Sequence, residues 1–335
     1  MLRWFEQNRR DLPWRRTRDP WAIWVSEIML QQTRVEAVRG AYSRFMARFP
    51  TPAAFAAADD AALLQAWQGL GYYRRARLLR EAARAVTSQH AGAVPADPAL
   101  LGALPGIGAY TRGAVASIAF GVPECAIDGN VERVVARHRG IEADVKSAAG
   151  RTAIRALVAS WLDRTRPGDF NQAMMELGAL VCTPRAPRCD VCPVARDCVA
   201  RKRGLVDRLP LLPARKPAIA IVARCALIHG RGRSVLGRRI ASGRINGGQV
   251  DLAGPGALTH LDSAAELATS LGQRVRIGEL LATVRHTITQ HRIELLIHAG
   301  ELVGRRARDE VFAAPDAPEV PWTTLARKAF RACGL

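Results

Sequence analysis

Residues 104–108 read Leu-Pro-Gly-Ile-Gly, and a run of helix-forming residues follows from 109 to 120. The two glycines, Gly106 and Gly108, allow a tight turn and leave bare backbone N–H groups at the start of a helix, where phosphate binds well. Taken alone, such a turn is an ordinary loop in about half of cases. The turn becomes informative together with Asp128, which lies twenty residues after Gly108 and directly precedes a predicted helix at 131–138. The pattern predicts a hairpin between two helices and then a carboxylate at a third helix.

A second carboxylate, Glu27, is the only acidic residue in the apolar stretch 21–33. A carboxyl group buried among apolar side chains resists ionisation, and a neutral carboxylic acid can protonate a leaving group. Asp128 has the ordinary role of an N-cap, and the same helix N-terminus stabilises its negative charge. The two residues therefore predict an acid and an anion that work on one substrate.

Composition indicates the kind of partner. The 335 residues carry 49 basic and 30 acidic side chains, a net charge of +19, which points to a polyanion and most often to nucleic acid. An apolar fraction of 49% excludes disorder throughout the chain. No run approaches the ~18–20 apolar residues of a membrane span, and the N-terminus has no signal-peptide core. We expect a cytoplasmic protein with no membrane contact.

Helix-breaking Gly and Pro residues and the periodicity of apolar residues divide the chain into three parts. Residues 1–205 are rich in helix formers, with Gly and Pro at helix-length intervals. Three prolines between 209 and 217 predict a stiff linker over 206–217. The remaining residues, 218–335, contain strand-like runs at 218–223 and 292–298 and short helical segments near 263–271 and 324–332, which predicts a small α/β domain.

Four of the seven cysteines form a C-x6-C-x2-C-x5-C array within 17 residues: Cys182, Cys189, Cys192 and Cys198. Disulfides are rare in the cytosol, so metal ligation is the better interpretation. Four thiolates fit either zinc or a [4Fe–4S] cluster. A compact loop with a single C-x2-C favours the cluster, because structural zinc usually uses two separated pairs. The other cysteines are interpreted as core or surface thiols.

In order and spacing, the hairpin, Asp128 and the cysteine array resemble the endonuclease III (helix-hairpin-helix) superfamily of base-excision DNA glycosylases. Five segments resemble the A/G-specific adenine DNA glycosylase family (MutY type) within it: 12–15, 26–33, 69–73, 128–131 and 170–179. The resemblance implies a mainly α fold. It consists of a six-helix barrel over about 20–128 and a helical iron–sulfur domain from 1–19 and 129–205, followed by a smaller α/β Nudix-like domain.

The resemblance also implies a reaction, hydrolysis of the N-glycosidic bond of adenine mispaired with 8-oxoguanine or guanine after the base is flipped out of duplex DNA. Glu27 matches the general acid that protonates adenine. Asp128 matches the carboxylate that stabilises an oxocarbenium-like sugar, either electrostatically or as a covalent partner. The four cysteines match the ligands of a [4Fe–4S] cluster, and a monomer is expected. Substrate and DNA contacts carry over to Arg15, Gln32, Leu70, Tyr72, Gly106, Gly108, Tyr110, Asn130, Gln172 and Thr289, with Arg74, Arg75 and Arg77 as phosphate-contact candidates.

The presence or absence of one lysine distinguishes two kinds of enzyme within this superfamily. Members of the superfamily that also cut the DNA backbone carry a nucleophilic lysine just after the hairpin glycines. Tyr110 occupies that place, and the first lysine of the chain is Lys146. We therefore predict a monofunctional glycosylase, because no amine is available there to form a Schiff base.

The C-terminal residues resemble the Nudix-like domain with which this family recognises 8-oxoguanine. Where the family has aromatic-Ser-His, this chain has Ile288-Thr289-Gln290, so only a hydroxyl is retained. A Nudix hydrolase needs several glutamates on one helix to bind Mg²⁺, and residues 264–272 offer only Glu266. Nucleotide hydrolysis is not expected.

Two alternatives remain at this level. One is another superfamily activity, a thymine/uracil-mismatch or oxidised-pyrimidine glycosylase, against which Glu27, Gln32 and the C-terminal domain argue. The other is a mismatch-binding protein that has lost catalysis, against which the presence of both Glu27 and Asp128 argues.

Overall fold

The computed structural model describes residues 1–214, 217–241 and 244–335. These residues form two compact units. The first consists of 1–58 and 74–214, and the second consists of 59–73 together with the chain from 215 onward. In the described ranges, no helix has both the length and the hydropathy that a bilayer span requires.

The first unit is helical throughout. Its helices are α1 (Leu2–Asn8), α2 (Pro20–Leu30), α3 (Val35–Arg48), α4 (Pro52–Ala56), α6 (Arg74–Gln89), α7 (Pro98–Ala103), α8 (Ala109–Phe120), α9 (Gly129–Arg139), α10 (Ala148–Trp161), α11 (Pro167–Leu180) and α12 (Val199–Lys202), with 3-10 turns at Pro13–Arg15 and Ala195–Asp197. The second unit contributes α5 (Asp60–Ala66) from the 59–73 segment.

Helix α2 is the central element of the first unit. Asp19 caps it by accepting from the backbone N–H groups of Trp21 and Ala22, and Pro20 occupies the first helical position, where a missing N–H costs nothing. Every residue from Trp21 to Met29 is buried. Most of this surface is apolar and packs against α8, α3 and α6, so the helix is held rigidly and carries Glu27 into the interior.

Two glycines allow close approaches within the first unit, one between the 106–108 turn and α6 and one between α11 and α9. Gly106 has φ +76°, and a Cβ there would lie 2.8 Å from Cβ of Leu78. A Cβ at Gly178 would lie 2.5 Å from Cβ of Asn130, so only glycine lets α11 pack directly on the start of α9. Asp128, the N-cap of α9, is positioned by this packing.

The second unit contains two three-stranded sheets within its described residues. One has the order β1 (Ile219–Ile228), β5 (His291–Leu302), β4 (Val275–Ile288), with β1 parallel and β4 antiparallel to β5. The other has the order β3 (Val250–Leu252), β2 (Val235–Arg239), β6 (Glu310–Ala313) and is antiparallel. Helices α13 (Ala264–Ser270) and α14 (Thr324–Ala332) complete the unit, and Trp322 and Phe330 anchor α14 in its core.

The predicted elements are present, with small differences at their ends. The helix predicted at 109–120 is α8, and those near 263–271 and 324–332 are α13 and α14. The strands predicted at 218–223 and 292–298 correspond to the first halves of β1 and β5, and both strands continue for four or five residues beyond the predicted ends. Within the predicted linker 206–217, Arg215 and Lys216 lie outside the described residues. Its first part is bound to the first unit, since the Leu209 carbonyl accepts from Arg137 and the Leu211 carbonyl from the Val145 N–H.

Candidate functional site

A cavity of about 740 Å³ opens in the first unit where the 3-10 turn at Pro13–Arg15, the end of α2, the 106–111 turn, the start of α9 and one face of α11 meet. It collects nine of the residues predicted from the sequence: Arg15, Glu27, Gln32, Gly106, Gly108, Tyr110, Asp128, Asn130 and Gln172. Because these residues come from five separate segments, the cavity is a product of the tertiary structure.

Glu27 is the buried acid of this cavity, at 5% exposure. Burial raises the pKa of its carboxyl group to about 7, because a charged carboxylate loses its hydration there. The Tyr110 hydroxyl donates to Glu27 Oε2 at 2.5 Å and opposes the rise, Asp128 adds to it, and Arg15 opposes it. The balance leaves Glu27 protonated in a substantial fraction of molecules at neutral pH.

Tyr110, at the start of α8, reaches across the cavity to Glu27. Its hydroxyl oxygen also lies 3.2 Å from Sδ of Met175 on α11. Burial and the neighbouring Glu27 carboxylate raise the pKa of the phenol well above its ordinary value, so the hydroxyl remains a donor. Tyr110 thus fixes the orientation of the acid.

Asp128 caps α9 and faces the same cavity. Its Oδ1 accepts from the backbone N–H groups of Asn130 and Val131 at 2.9 and 2.8 Å, and its Oδ2 accepts from the Asn130 side-chain amide at 2.7 Å. These donors and the helix N-terminus stabilise the negative charge and fix the carboxylate in one orientation. A fixed anion beside a protonated acid is the arrangement that the cleavage of a glycosidic bond requires.

Two residues that the sequence interpretation missed form the wall beside Arg15. Glu176 on α11 is 1% exposed and accepts hydrogen bonds from Arg10 and Arg15, whose guanidinium groups face it in parallel pairs at 2.7–3.0 Å. A signal for Glu176 was present, because it is the only acidic residue in the apolar stretch 173–180, as Glu27 is in its own stretch. Nothing local in the sequence pointed to Arg10.

Arg75 has a different role from the one predicted. It was a candidate for a phosphate contact, but its guanidinium donates to the carbonyls of Ile28, Met29 and Gln31 at the end of α2 and to the Thr33 hydroxyl. These carbonyls have no intrahelical partners, so a cation at the helix C-terminus stabilises them. Arg75 therefore holds the end of the helix that carries Glu27, next to the exposed Gln32, whose φ is +57°.

The four predicted cysteine ligands line one small cavity of about 30 Å³. Arg137 of α9 is 3% exposed, and its guanidinium lies 3.4 Å from Sγ of Cys182 and donates to the Thr183 carbonyl at 2.7 Å. Across the described ranges, no three His, Cys, Asp or Glu side chains converge closely enough for a single metal ion. The four thiols thus line the same space in the fold, with the Arg137 guanidinium beside them.

Arg133, one helical turn before Arg137, joins the cysteine loop to the cavity. Its guanidinium donates to the Cys182 carbonyl at 2.7 Å and to Oδ1 of Asn130 at 2.8 Å. Asn130 in turn donates to Asp128. A continuous set of hydrogen bonds thus leads from the cysteine loop to the Asp128 carboxylate.

Three further predicted contacts, Leu70, Tyr72 and Thr289, belong to the second unit, whereas Arg74 and Arg77 lie on α6 of the first. Tyr72 is 48% exposed with φ +49°, whereas Tyr73 is buried at 8%, so one of the two tyrosines is a core residue and the other lies at the surface. Leu70 is buried at 5%, which does not fit an exposed contact. Thr289 lies at the exposed tip of the β4–β5 hairpin with φ +53°, and its hydroxyl donates to the Ile288 carbonyl.

Comparisons with known proteins relate this chain to DNA repair enzymes. Residues 25–159 match the family model described as HhH-GPD superfamily base excision DNA repair protein. An adenine DNA glycosylase of Mycolicibacterium smegmatis is 43% identical over 241 residues, which cover 71% of this chain and 77% of the relative. An adenine DNA glycosylase of Homo sapiens is 47% identical over 218 residues.

Coverage differs among these relatives. The match to the human protein covers 62% of this chain but only 40% of the human one, so this chain spans less than half of that relative's length. Among solved structures, a thermostable thymine-DNA glycosylase is similar with a TM-score of 0.56 and 30% identity, over 60% of this chain and 93% of that one.

Proposed function

The chain belongs to the adenine DNA glycosylase family of the HhH-GPD superfamily of base excision DNA repair proteins, and we propose that it removes adenine mispaired with 8-oxoguanine or guanine in duplex DNA. One observation carries this proposal. The buried carboxyl of Glu27 and the capped carboxylate of Asp128 face one cavity of about 740 Å³, large enough to admit an extruded base.

In the proposed reaction, Glu27 transfers its proton to a ring nitrogen of the flipped adenine. The bond between the sugar C1′ and the base then breaks, and its electron pair leaves with the protonated base as neutral adenine. The positive charge that develops on the sugar is stabilised by Asp128. Water adds at C1′ and releases a proton, which leaves an abasic site in an intact strand. Tyr110 keeps Glu27 aimed into the cavity through its hydrogen bond to Oε2.

The same geometry supports a monofunctional enzyme. At the place where lyase relatives carry a lysine, Tyr110 presents a phenol that donates to Glu27. Lys146, the first lysine of the chain, bonds to Glu132 instead of reaching this cavity. Without an amine at the sugar, no Schiff base forms and the DNA backbone is not cut.

The test is an assay of base release. The protein is incubated with three duplexes that carry adenine opposite 8-oxoguanine, adenine opposite guanine, and thymine opposite guanine. We expect adenine to be released from the first two, and strand breaks to appear only after alkali. Release of thymine alone would favour a thymine-mismatch glycosylase, and tight binding without any release would favour a mismatch-binding protein. Strand cleavage without alkali, through an adduct that borohydride traps, would contradict monofunctionality.

The donor set of the cysteine cavity fits a [4Fe–4S] cluster. Cys182, Cys189, Cys192 and Cys198 would each bind one iron, since the four thiols line one shared cavity and thiolates are the usual ligands of such clusters. Such a cluster ties four points of the 182–198 loop together. Arg137 would offset part of the negative charge that four thiolates bring.

We expect the purified protein to contain iron and sulfide in equal amounts and to absorb broadly in the visible range. Replacing Cys198 by serine removes one ligand and should abolish most of the colour and the iron. Cys125→Ser is the matched control, because Cys125 lies outside the cavity. Stoichiometric zinc in a colourless protein, measured by elemental analysis, would show that the metal assignment is wrong.

The further DNA contacts that we propose lie in both units. Thr289 presents its hydroxyl at a hairpin tip, where it would contact 8-oxoguanine in a Nudix-like domain. The exposed Tyr72 would wedge into the duplex, and the N–H groups around Gly106 and Gly108 would hold a phosphate. The protein would act on DNA as a monomer in the bacterial cytoplasm.

A further inference from the structure

Glu176 is the most completely engaged acidic side chain of the first unit. Its two carboxylate oxygens accept five hydrogen bonds: three from Arg10, through its backbone N–H, Nε and Nη2, and two from Arg15, through Nη1 and Nη2. The two arginines lower the pKa of Glu176 to about 2 against the opposing effect of burial. Glu176 is therefore an anion under all working conditions.

This carboxylate lies between two cations that line the same cavity as Glu27 and Asp128. The Arg10–Arg15–Glu176 group carries a net charge of +1, and without Glu176 it would carry +2. The Arg15 side chain is only 12% exposed, so water screens its charge poorly. Arg10 also lies near Glu36 of α3, but that pair does not replace the contacts to Glu176.

The charge on this group matters because Arg15 acts on Glu27. Arg15 favours the ionised form of Glu27 and so lowers the pKa of that carboxyl. The other groups that face Glu27 are the Tyr110 hydroxyl from α8 and Asp128 at the start of α9. At the end of α2, Arg75 from α6 is already engaged by backbone carbonyls. Arg15 is thus the cation through which a change at Glu176 reaches the acid.

We infer that Glu176 is a positioning residue for the reaction: it holds Arg10 and Arg15 against the cavity wall and neutralises one of their two charges, which limits the positive charge that the wall presents to Glu27. The inference rests on the proposed function for its kinetic consequence but not for its electrostatic one. Both carboxylate oxygens of Glu176 are engaged by Arg10 and Arg15, and Glu176 acts through these two arginines.

The test compares wild type with Glu176→Gln, which keeps the shape of the side chain and removes its charge. Single-turnover release of adenine opposite 8-oxoguanine is measured from pH 5 to pH 9. We expect the rate to fall at a pH about one unit lower in the variant, so that the two proteins have similar rates at low pH and differ about tenfold at high pH. A loss of equal size at every pH would show a merely structural role and overturn the inference, as would an unchanged profile.

Three further variants protect the test against misfolding. Arg15→Gln removes the cation itself, so the profile should move the opposite way, to higher pH. Glu176→Asp keeps the charge and should retain the wild-type position of the profile even if its rate is lower. Glu142→Gln, at an exposed ion pair with Arg203, is the matched control and should change nothing. A shift of Arg15→Gln in the same direction as Glu176→Gln would contradict the inference.

A second readout needs no DNA and no activity. Glutamate labelled with ¹³C at its carboxyl allows the ionisation of Glu27 to be followed by NMR, with Glu27→Gln to assign its signal. Glu176→Gln should move that titration to lower pH by about one unit. If wild type releases no adenine but the titration moves, the proposed function fails and the electrostatic effect of Glu176 on Glu27 stands. If adenine is released and the titration does not move, the inference alone fails.

Discussion

Replacing Glu27 by glutamine is expected to abolish base release while DNA binding persists. Glutamine has nearly the same shape, and its carbonyl oxygen can still accept the hydrogen bond from Tyr110, so the cavity is preserved. What is lost is the proton that makes adenine a competent leaving group. General-acid catalysis contributes about 10²–10⁴-fold, and we expect a fall of about 10³-fold in the single-turnover rate.

The measurement uses a duplex with adenine opposite 8-oxoguanine, and binding is followed separately by fluorescence anisotropy. Ser26→Ala is a suitable control, since Ser26 neighbours Glu27 on α2 but its hydroxyl bonds only to the Ile23 carbonyl of the same helix. The general-acid role is wrong if Glu27→Gln releases adenine at the wild-type rate. Loss of binding together with loss of activity would indicate that Glu27 supports the structure of the cavity instead.

The pH dependence belongs to the same prediction. Because the pKa of Glu27 is raised to about 7, the wild-type rate should be highest below pH 7 and fall about tenfold for each pH unit above it. The free energy of unfolding also depends on the ionisation of Glu27. The folded state holds this proton more tightly than the unfolded chain, so stability is full below about pH 4.5 and declines as pH rises to 7, by about 3 kcal/mol in total. Glu27→Gln should therefore melt at a higher temperature than wild type at pH 8.

Replacing Asp128 by asparagine is expected to lower the rate of base release about 10³-fold, an effect as large as that of Glu27→Gln. Asparagine is as good an N-cap as aspartate, so α9 should begin at the same place and the fold should persist. The amide carries no charge, however, and the positive charge that develops on the sugar loses its counterion. Removing one such electrostatic contact in other enzymes costs about 10²–10³-fold, and a full charge contributes at the upper end.

Asp97→Asn is the matched control for this variant. Asp97 caps α7 by accepting from the Ala99 backbone N–H and is not part of the cavity, so its replacement should leave the rate unchanged. Circular dichroism and melting temperature would show whether each cap is retained. A rate for Asp128→Asn within a few-fold of wild type, in a folded protein, would exclude Asp128 from the chemistry.

Local signals in the sequence were sufficient for much of this protein. The Gly106 and Gly108 turn, Asp128 before α9 and Glu27 in an apolar stretch each reflect a short-range rule: glycine for a tight turn, aspartate for a cap, a lone carboxyl for an altered pKa. The structure brings all four residues into one cavity. The cysteine spacing likewise predicted that four thiols share one space.

The features that could not be predicted from the sequence are contacts between residues that are far apart in the chain. Arg10 and Glu176 are 166 positions apart, and neither has a local pattern that names the other. Arg75 looked like a phosphate contact because its neighbours are basic, but it is used 44–47 residues away to hold the end of α2. Segment 59–73, predicted as part of the helical domain, groups with the C-terminal unit.

The sequence by itself determined which side chains can do chemistry, because a turn, a cap and a buried acid each need only a few neighbouring residues. The tertiary structure alone decided how those side chains are charged and aimed. The pKa of Glu27 depends on Tyr110, Asp128 and Arg15, which reach it from three other segments. Electrostatic energy depends on distance in space and on burial, and neither is a property of position along the chain.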